Sequence, residues 1–230
     1  MSDDECVEMR YGPQDDPVSE SHGSRYWWLQ GRIAAADCWA AYQPKGAGGY
    51  ALSKRNLNGS GNNAADGAAI PTWDVVNGWK FDAASLQYLT TTFVPQNDQS
   101  QSVLIQFTNG IDTNYLFGML DAAARAFYVR RKLAAGAVYA NGGSRPGVGA
   151  AVAAGNLGIA GTEGYRNGAD DSLSTGVYTG VPVSACYIGC YNLAGVATGF
   201  ISVYIQALAI YSVTITVAQV AAVAAAMAAL

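Results

Sequence analysis

The stretch FISVYIQALAIY (residues 200–211), followed by TVAQVAAVAAAMAAL (residues 216–230), carries the strongest structural pattern in the chain. The first part is rich in β-branched and aromatic residues and predicts a long, buried strand. The second part predicts a C-terminal helix with Thr216 as its N-cap. Its larger apolar side chains repeat at helical spacing and form one stripe that should pack on a sheet: Val217, Val220, Val223 and Met227.

Further segments of strand character precede this stretch and are separated by turn-forming residues. GWKFD (78–82) and SVLIQFT (102–108) are the clearest strands, and Asn-Gly pairs occur at 109–110, 141–142 and 167–168. Asn-Gly is the dipeptide that tight hairpin turns prefer. Many short strands with regularly spaced turns are typical of an antiparallel β-sandwich or barrel.

The order of these segments resembles laminin-G-like domains of the concanavalin A-like lectin/glucanase superfamily. The resemblance covers roughly residues 39–230 and rests on GWKFD, SVLIQF, the hairpin YRNG (165–168), YIG (187–189) and the closing strand with its helix start. It implies an all-β fold, an antiparallel jelly-roll β-sandwich with a short C-terminal α-helix, as one domain over 39–230. Such sandwiches include lectins, hydrolases and structural modules, so the fold alone does not choose the function.

The alanine-, asparagine- and threonine-rich texture is further similar to laminin-G-like modules of bacteriophage virions. This resemblance implies a non-catalytic virion structural or adhesion module, such as a capsid decoration or a tail component, in an extracellular particle. The implied partners are other virion proteins or further copies of the chain, with a cell-surface glycan as an additional target. The alternative is a free extracellular carbohydrate-binding lectin.

The charge of the chain is concentrated at its start. Residues 1–20 hold seven acidic side chains and one basic side chain, a net charge of −6, whereas the whole chain of 230 residues has −4. An acidic segment without apolar periodicity predicts disorder, or order imposed by a partner. The nearly neutral remainder lacks the basic surface that nucleic acid requires. No signal peptide and no membrane insertion are predicted.

Residues 1–38 are interpreted as this acidic leader followed by an aromatic assembly segment. The segment contains Tyr26, Trp27 and Trp28, three adjacent aromatic residues that are too apolar as a group to remain in water. We expect them to contact a partner in an assembly. Packing back onto the sandwich is the alternative.

The chain lacks the residues that common hydrolase mechanisms need. Glycosidases use two carboxylates that flank the scissile bond, but beyond the leader there is a single glutamate, Glu163, and no predicted strand carries alternating acids. A Ser-His-Asp or Cys-His set needs a histidine, and the only one, His22, falls in the leader. The sequence therefore predicts no catalytic residues and a protein that is not an enzyme.

Calcium is the usual cofactor of the resembled superfamily and takes oxygen ligands. Asp170 and Asp171 beside Asn167 form one candidate metal site, and Asp112 with Asn114 a second. The same residues are ordinary turn formers that cap hairpins. Calcium is thus allowed for, but no cofactor is required.

A lectin-type site would stack exposed aromatic rings on sugar faces and bind hydroxyl groups with Asn or Asp. Tyr178, Tyr191 and Asn192 fall in predicted loops and are the candidate glycan-binding residues. Packing of the rings, and a plain turn at 191–192, are the alternatives.

The four cysteines, at positions 6, 38, 186 and 190, match no zinc-binding spacing. Cys186 and Cys190 would be about 13 Å apart along one strand, so a disulfide between them would need a sharp bend. Free, buried thiols are expected.

Overall fold

The structure, a computed structural model, describes residues 26–96, 99–121, 125–133, 136–171, 180 and 184–230. The predicted leader and Tyr178 lie outside this part of the chain. The strands, in chain order, are β1 Cys38–Tyr42, β2 Ala65–Asp66, β3 Thr72–Asp74, β4 Gly78–Phe81, β5 Leu89–Thr90, β6 Ser102–Thr108, β7 Tyr115–Leu120, β8 Ala126–Leu133, β9 Gly136–Asn141, β10 Ser144–Ala150, β11 Gly155–Ala160, β12 Glu163–Arg166, β13 Ala169–Asp170, β14 Tyr187–Ile188, β15 Tyr191–Leu193, β16 Val196–Thr198 and β17 Val203–Tyr211. The helices are α1 Tyr50–Ser53 and α2 Val217–Ala228, with single 3-10 turns at Trp27–Leu29 and Ala35–Asp37.

These strands form two sheets. The first has the order β13-β12-β11-β6-β17-β4-β3, with β1 also paired to β17. The second has the order β10-β9-β8-β7-β14-β5-β2, with β15 beside β7 and β16 beside β15. The β15–β7 pair is parallel, unlike the other pairs of the described strands. Two sheets, antiparallel except at that pair, and a short C-terminal helix confirm the predicted all-β sandwich.

The core between the sheets follows from the two-residue period of the strands. On β6 the side chains of Val103, Ile105 and Phe107 are fully buried in the central cluster. Phe117 and Phe127 of the second sheet belong to the same cluster. Each such side chain stabilises the fold by about 1.5–3 kcal/mol through burial of apolar surface, so this interface holds the two sheets together.

A second apolar layer covers the outer face of the first sheet. Helix α2 and the segment that begins at residue 26 pack there, on side chains such as Leu104 and Tyr211. Trp27 and Trp28 are 1% and 4% exposed in this layer. The described contacts therefore place both indole rings inside the chain's own fold, the alternative to the expected assembly contact. Tyr26 remains 52% exposed.

Helix α2 begins as predicted. The Thr216 hydroxyl accepts a hydrogen bond from the Gln219 backbone N–H, and the Gln219 side chain accepts one from the Thr216 backbone N–H, which completes a capping box. Val220, Val223 and Met227 are buried, but Val217 in the first turn is 59% exposed, so the predicted stripe is shorter by one residue. No helix of the described residues has the length and hydropathy to span a membrane.

Candidate functional site

The outer face of the second sheet carries a patch of aromatic side chains, called here the tyrosine face: Tyr115, Tyr128 and Tyr191, with Arg130. Tyr115 pairs with Arg130 in the β7–β8 ladder, and a bulge lies between Tyr115 and Phe117. Leu116 and Phe117 are both buried in the central core, whereas Tyr115 packs with the outer cluster that contains Tyr128. The bulge therefore moves Tyr115 to the outer face, since an extra residue shifts the alternation of a strand.

The rings of the tyrosine face are in mutual contact. The ring centroids of Tyr115 and Tyr191 lie 4.3 Å apart with an interplanar angle of 50°. Tyr128 meets Tyr115 edge-on at 5.0 Å. The Arg130 guanidinium carbon lies 5.0 Å from the centroid of the Tyr115 ring, within the range of a cation–π interaction. Tyr115 and Tyr191 are half-buried, so part of each ring faces solvent.

Backbone interactions fix this geometry. The Arg130 Nε donates to the Thr113 carbonyl oxygen at 2.8 Å, which holds the guanidinium beside the ring. Gly199 has a φ of 66°, and a Cβ at this position would lie 2.7 Å from the Tyr191 ring and 2.8 Å from the Tyr115 ring. Glycine is thus required here for both conformation and space.

Burial raises the pKa of two phenol groups of the tyrosine face. It raises the pKa of Tyr128, whose hydroxyl lies 3.1 Å from the Ser144 hydroxyl oxygen. Burial, with a smaller contribution from Tyr115, also raises the pKa of Tyr191, although Arg130 opposes the shift. The Tyr191 hydroxyl can both donate and accept a hydrogen bond, as recognition of a neutral ligand requires.

A second aromatic group lies beside the tyrosine face. Tyr88 is 5.2 Å from Tyr187 and 6.0 Å from Phe200, centroid to centroid. Tyr187 pairs with Gly118, and Gly118 pairs in turn with Tyr128. Because laterally paired residues point to the same side of a sheet, Tyr187 lies on the same face as Tyr128. Sequence reasoning found Tyr191 alone among these residues. The alternation of Tyr128 and Arg130 along β8 could have indicated these two further residues of the tyrosine face.

Asn192 does not join the tyrosine face. It is 3% exposed, its Nδ2 donates to the Ala185 carbonyl oxygen at 2.7 Å, and its Oδ1 accepts from the Gly195 backbone N–H at 2.6 Å. The structure therefore gives this amide the turn-forming role that was the alternative, and the expectation that it faces a sugar is not supported. Tyr178 lies outside the described residues.

The first predicted calcium site is occupied by protein groups. Asp171 is 2% exposed. Its carboxylate accepts hydrogen bonds from the Tyr139 hydroxyl at 2.8 Å and the Gly149 N–H at 3.0 Å, and pairs with Arg166 at 2.9 Å. Asn167 Oδ1 accepts from the Asn156 N–H at 2.8 Å. Protein groups therefore use the side-chain oxygen atoms of Asp171 and Asn167, while Asp170 is exposed.

The second predicted calcium site is used in the same way. Asp112 accepts a hydrogen bond from the Ser202 N–H at 2.6 Å, and Asn114 donates to the Phe200 carbonyl oxygen at 2.8 Å. Within the described part of the chain, no group of three or more His, Cys, Asp or Glu side chains could hold a metal ion. Calcium binding stays a prediction.

The described carboxyl groups with a shifted pKa, those of Asp66, Asp74 and Asp82, have it lowered rather than raised. Glu163 is the one carboxylate that lines a cavity of about 420 Å³ between the β11–β12 turn and the start of α2. A general acid needs a raised pKa. By contrast, a backbone hydrogen bond from Asn77 lowers the pKa of Asp74, and a hydrogen bond from the Ser85 hydroxyl lowers that of Asp82.

The cysteines match the expectation where the structure describes them. Cys38, Cys186 and Cys190 are buried and form no disulfide. Burial raises the pKa of Cys38 and of Cys190 to about 12, which makes their thiolates, and hence nucleophilic reactivity, unfavourable at neutral pH.

No known protein-family profile matches the chain, and no curated protein matches it by sequence. Similarity is found among solved structures. Domain 4 of AbnA, a GH43 extracellular arabinanase from Geobacillus stearothermophilus solved in complex with arabinotriose, aligns with 82% of this chain and 98% of that one, with a TM-score of 0.54 and 13% identity. That alignment supports the β-sandwich fold, since identity at this level carries no functional information.

Two sialidases align less closely. The Trypanosoma rangeli sialidase in complex with the inhibitor DANA has a TM-score of 0.47 and 16% identity over 80% of this chain and 32% of that one. The K499G mutant of NanB sialidase from Streptococcus pneumoniae has a TM-score of 0.40 and 17% identity over 55% of this chain and 24% of that one. The chain thus spans about a third of the Trypanosoma sialidase and about a quarter of NanB.

Proposed function

We propose that this chain is a non-catalytic carbohydrate-binding module and that its glycan lies on the tyrosine face. The observation that carries the proposal is the half-buried pair Tyr115–Tyr191, 4.3 Å apart, with the Arg130 guanidinium over the Tyr115 ring. Two rings fixed by their neighbours offer a rigid apolar surface with polar edges. A sugar ring has a flat face of C–H groups and a rim of hydroxyl groups. The apolar faces and polar edges of the two tyrosine rings complement both.

The polar groups around the rings match hydroxyl chemistry. The Arg130 guanidinium can donate to sugar oxygens, and the phenol hydroxyl of Tyr191 can donate and accept. Binding through these groups needs no metal and no cofactor. The arabinanase domain of similar fold was solved with arabinotriose, and the analogy with this chain is one of fold alone.

A glycan array followed by isothermal titration calorimetry on the best ligand tests this function. We expect Tyr191→Ala to weaken binding by about tenfold or more, because it removes the apolar area of the ring together with an aromatic contact worth about 0.5–1.5 kcal/mol beyond that area. Tyr191→Phe should keep most of the affinity if stacking dominates. Tyr26→Ala, the same change at an exposed tyrosine whose ring contacts Trp28 on the opposite sheet, is the matched control.

Two results would overturn the proposal. One is an array without any bound glycan. The other is equal affinity of the wild type and Tyr191→Ala for a glycan that does bind. Turnover of that glycan, abolished by Glu163→Gln, would instead indicate an enzyme.

Membership of a virion, as a structural or adhesion module, is the second candidate function. The acidic character of residues 1–20, with a net charge of −6, favours it because such a segment is suited to recruitment by a basic partner. Deletion of residues 1–25 is the appropriate test, since a longer deletion would remove Trp27 and Trp28 from the folded layer. Loss of co-purification with particles, seen by electron microscopy, is expected; unchanged assembly would contradict this role for the segment.

A further inference from the structure

A groove on the other side of the molecule, called here the helix groove, lies between α2 and the first sheet. It encloses about 200 Å³ and is lined by Gln106, Gly155, Asn156, Asn167, Ala221, Ala224, Ala225 and Ala228. Val220, Val223 and Met227 of α2 pack on the sheet. The neighbouring alanines have side chains too short to fill the space beside them, so the groove follows directly from the alanine-rich helix sequence.

Two of the residues that line this groove carry buried side-chain oxygen atoms. Gln106 on β6 pairs directly with Asn156 on β11, so their side chains emerge on the same face of the sheet. They are 8% and 2% exposed. Gln106 Oε1 and Asn156 Oδ1 have no hydrogen-bond partner among the described residues. Buried acceptors are normally paired, because desolvation without a hydrogen bond is unfavourable, and two of them in one groove point to a ligand that donates.

Two hydrogen bonds hold Asn156 in place. Asn156 Nδ2 donates to the Met227 sulfur at 3.0 Å, which turns its oxygen away from the helix side chain. The Asn156 N–H donates to Asn167 Oδ1 at 2.8 Å. Gly155 has a φ of 133°, and a Cβ there would lie 2.4 Å from Asn167 Oδ1. The close contacts of Asn167 Oδ1 with the backbone at Gly155 and Asn156 thus fix this wall of the groove.

The chemistry of the lining selects the kind of ligand. The lining residues are amides, glycine and alanine, without a charged side chain, so an ionic ligand would have no counter-charge. Two amide oxygens are too few for calcium, which takes six to eight oxygen ligands. The volume is below that of pockets for drug-sized molecules, about 300–1,000 Å³. A small neutral molecule with hydroxyl groups needs no counter-charge, fits the volume and can donate to both amide oxygens.

We propose that the helix groove binds a single neutral polyhydroxylated unit, a sugar ring or a polyol, whose hydroxyl groups donate to Gln106 Oε1 and Asn156 Oδ1. The alanine methyl groups of α2 pack against its carbon skeleton. This site is independent of the tyrosine face, because the two lie on opposite sheets.

Protein-observed NMR with labelled side-chain amides tests the proposal on the full chain. The probes are D-glucose, L-arabinose, sorbitol and glycerol, which separate a sugar ring from a free polyol. We expect saturable shifts of the Gln106 and Asn156 side-chain amide signals with at least one probe. No shift with any probe, or a crystal soaked with them that shows only ordered water in the groove, would overturn the proposal.

Matched variants test whether the ligand binds in the helix groove. Ala225→Leu places a larger side chain in the groove from an exposed position and should weaken binding by about tenfold or more. Ala218→Leu, two turns earlier on the same helix and outside the groove, should not change it. Gln106→Leu should abolish binding without lowering the melting temperature, since it removes an unpaired acceptor and keeps the volume. Equal affinity of Ala225→Leu and Ala218→Leu, or binding retained by Gln106→Leu, would contradict the site.

Tyr191→Ala should leave binding in the helix groove unchanged. The same titrations of Tyr191→Ala therefore show whether the proposed site in the helix groove or the proposed site on the tyrosine face is wrong.

Discussion

The buried hydroxyl of Tyr211 donates a hydrogen bond of 2.8 Å to the backbone carbonyl oxygen of Trp28, across 183 positions of the chain. Tyr211 ends the long strand of the first sheet, and Trp28 lies in the 3-10 turn that precedes the sandwich. Both belong to the apolar layer between that sheet and α2. The aromatic segment is therefore part of the folded domain and is fixed by its last strand.

Loss of this hydrogen bond should destabilise the domain. Tyr211→Phe leaves the Trp28 carbonyl oxygen buried without its donor, and we expect the free energy of unfolding to fall by about 1–3 kcal/mol. Urea denaturation measures the change. Tyr204→Phe, at a half-buried position of the same strand, is the control and should change it by less than about 0.5 kcal/mol. Equal losses would contradict the assigned role.

The contact between Tyr115 and Tyr191 should depend on Gly199. Gly199→Ala introduces a Cβ within 2.8 Å of both rings, so we expect the rings to separate and glycan affinity to fall together with stability. Gly195→Ala controls for backbone strain, because Gly195 also has a positive φ, 100°, but no atom within 4 Å of the added Cβ. Both variants should lose about 1 kcal/mol from conformation. Only Gly199→Ala should also lose binding in calorimetry.

Asn192 should affect stability first. Asn192→Ala removes hydrogen bonds to the Ala185 carbonyl oxygen and from the Gly195 N–H, and we expect a loss of about 1–3 kcal/mol in the free energy of unfolding. Val196→Ala in the same hairpin, 64% exposed, should change it by less than about 0.5 kcal/mol. An unchanged melting temperature for Asn192→Ala, with glycan binding lost, would instead restore Asn192 as a direct sugar ligand.

The stability of the domain should fall as the pH rises above about 9. Burial raises the pKa of Cys38 and Cys190 from 9.0 to about 12, so between these values the unfolded chain has released protons that the folded chain still binds. The free energy of unfolding then decreases with pH by about 1.4 kcal/mol per unit for each thiol. Stability contributed by the protonated thiols is fully present below pH 9 and is lost toward pH 12.

Urea denaturation between pH 8 and 10 in the presence of a reducing agent measures this slope. The double variant Cys38→Ala/Cys190→Ala should show a shallower slope, whatever its stability at pH 8. An identical slope in both proteins would exclude the two thiols as its source. Buried tyrosines such as Tyr42, whose pKa burial also raises, should add to the decline only at higher pH.

Local patterns predicted the elements of this fold well. The run SVLIQFT was identified as a strand, which is β6, and Thr216 was identified as the N-cap of α2. Both depend on neighbours within a few positions, so the sequence specifies them directly. The candidate site was predicted less completely, because Tyr191 was found without Tyr115, and Asn192 was expected at the surface.

The amino-acid sequence by itself determined the all-β class, the positions of the main strands, the helix cap and the free state of Cys38, Cys186 and Cys190. Tertiary structure alone decided that Trp27 and Trp28 lie under α2, that a bulge turns Tyr115 outward, and that Gln106 meets Asn156 beneath the helix. Each of these depends on the register between distant strands. Register is set by the packing of the whole sandwich, and a shift of one residue would send every side chain of a strand to the opposite face.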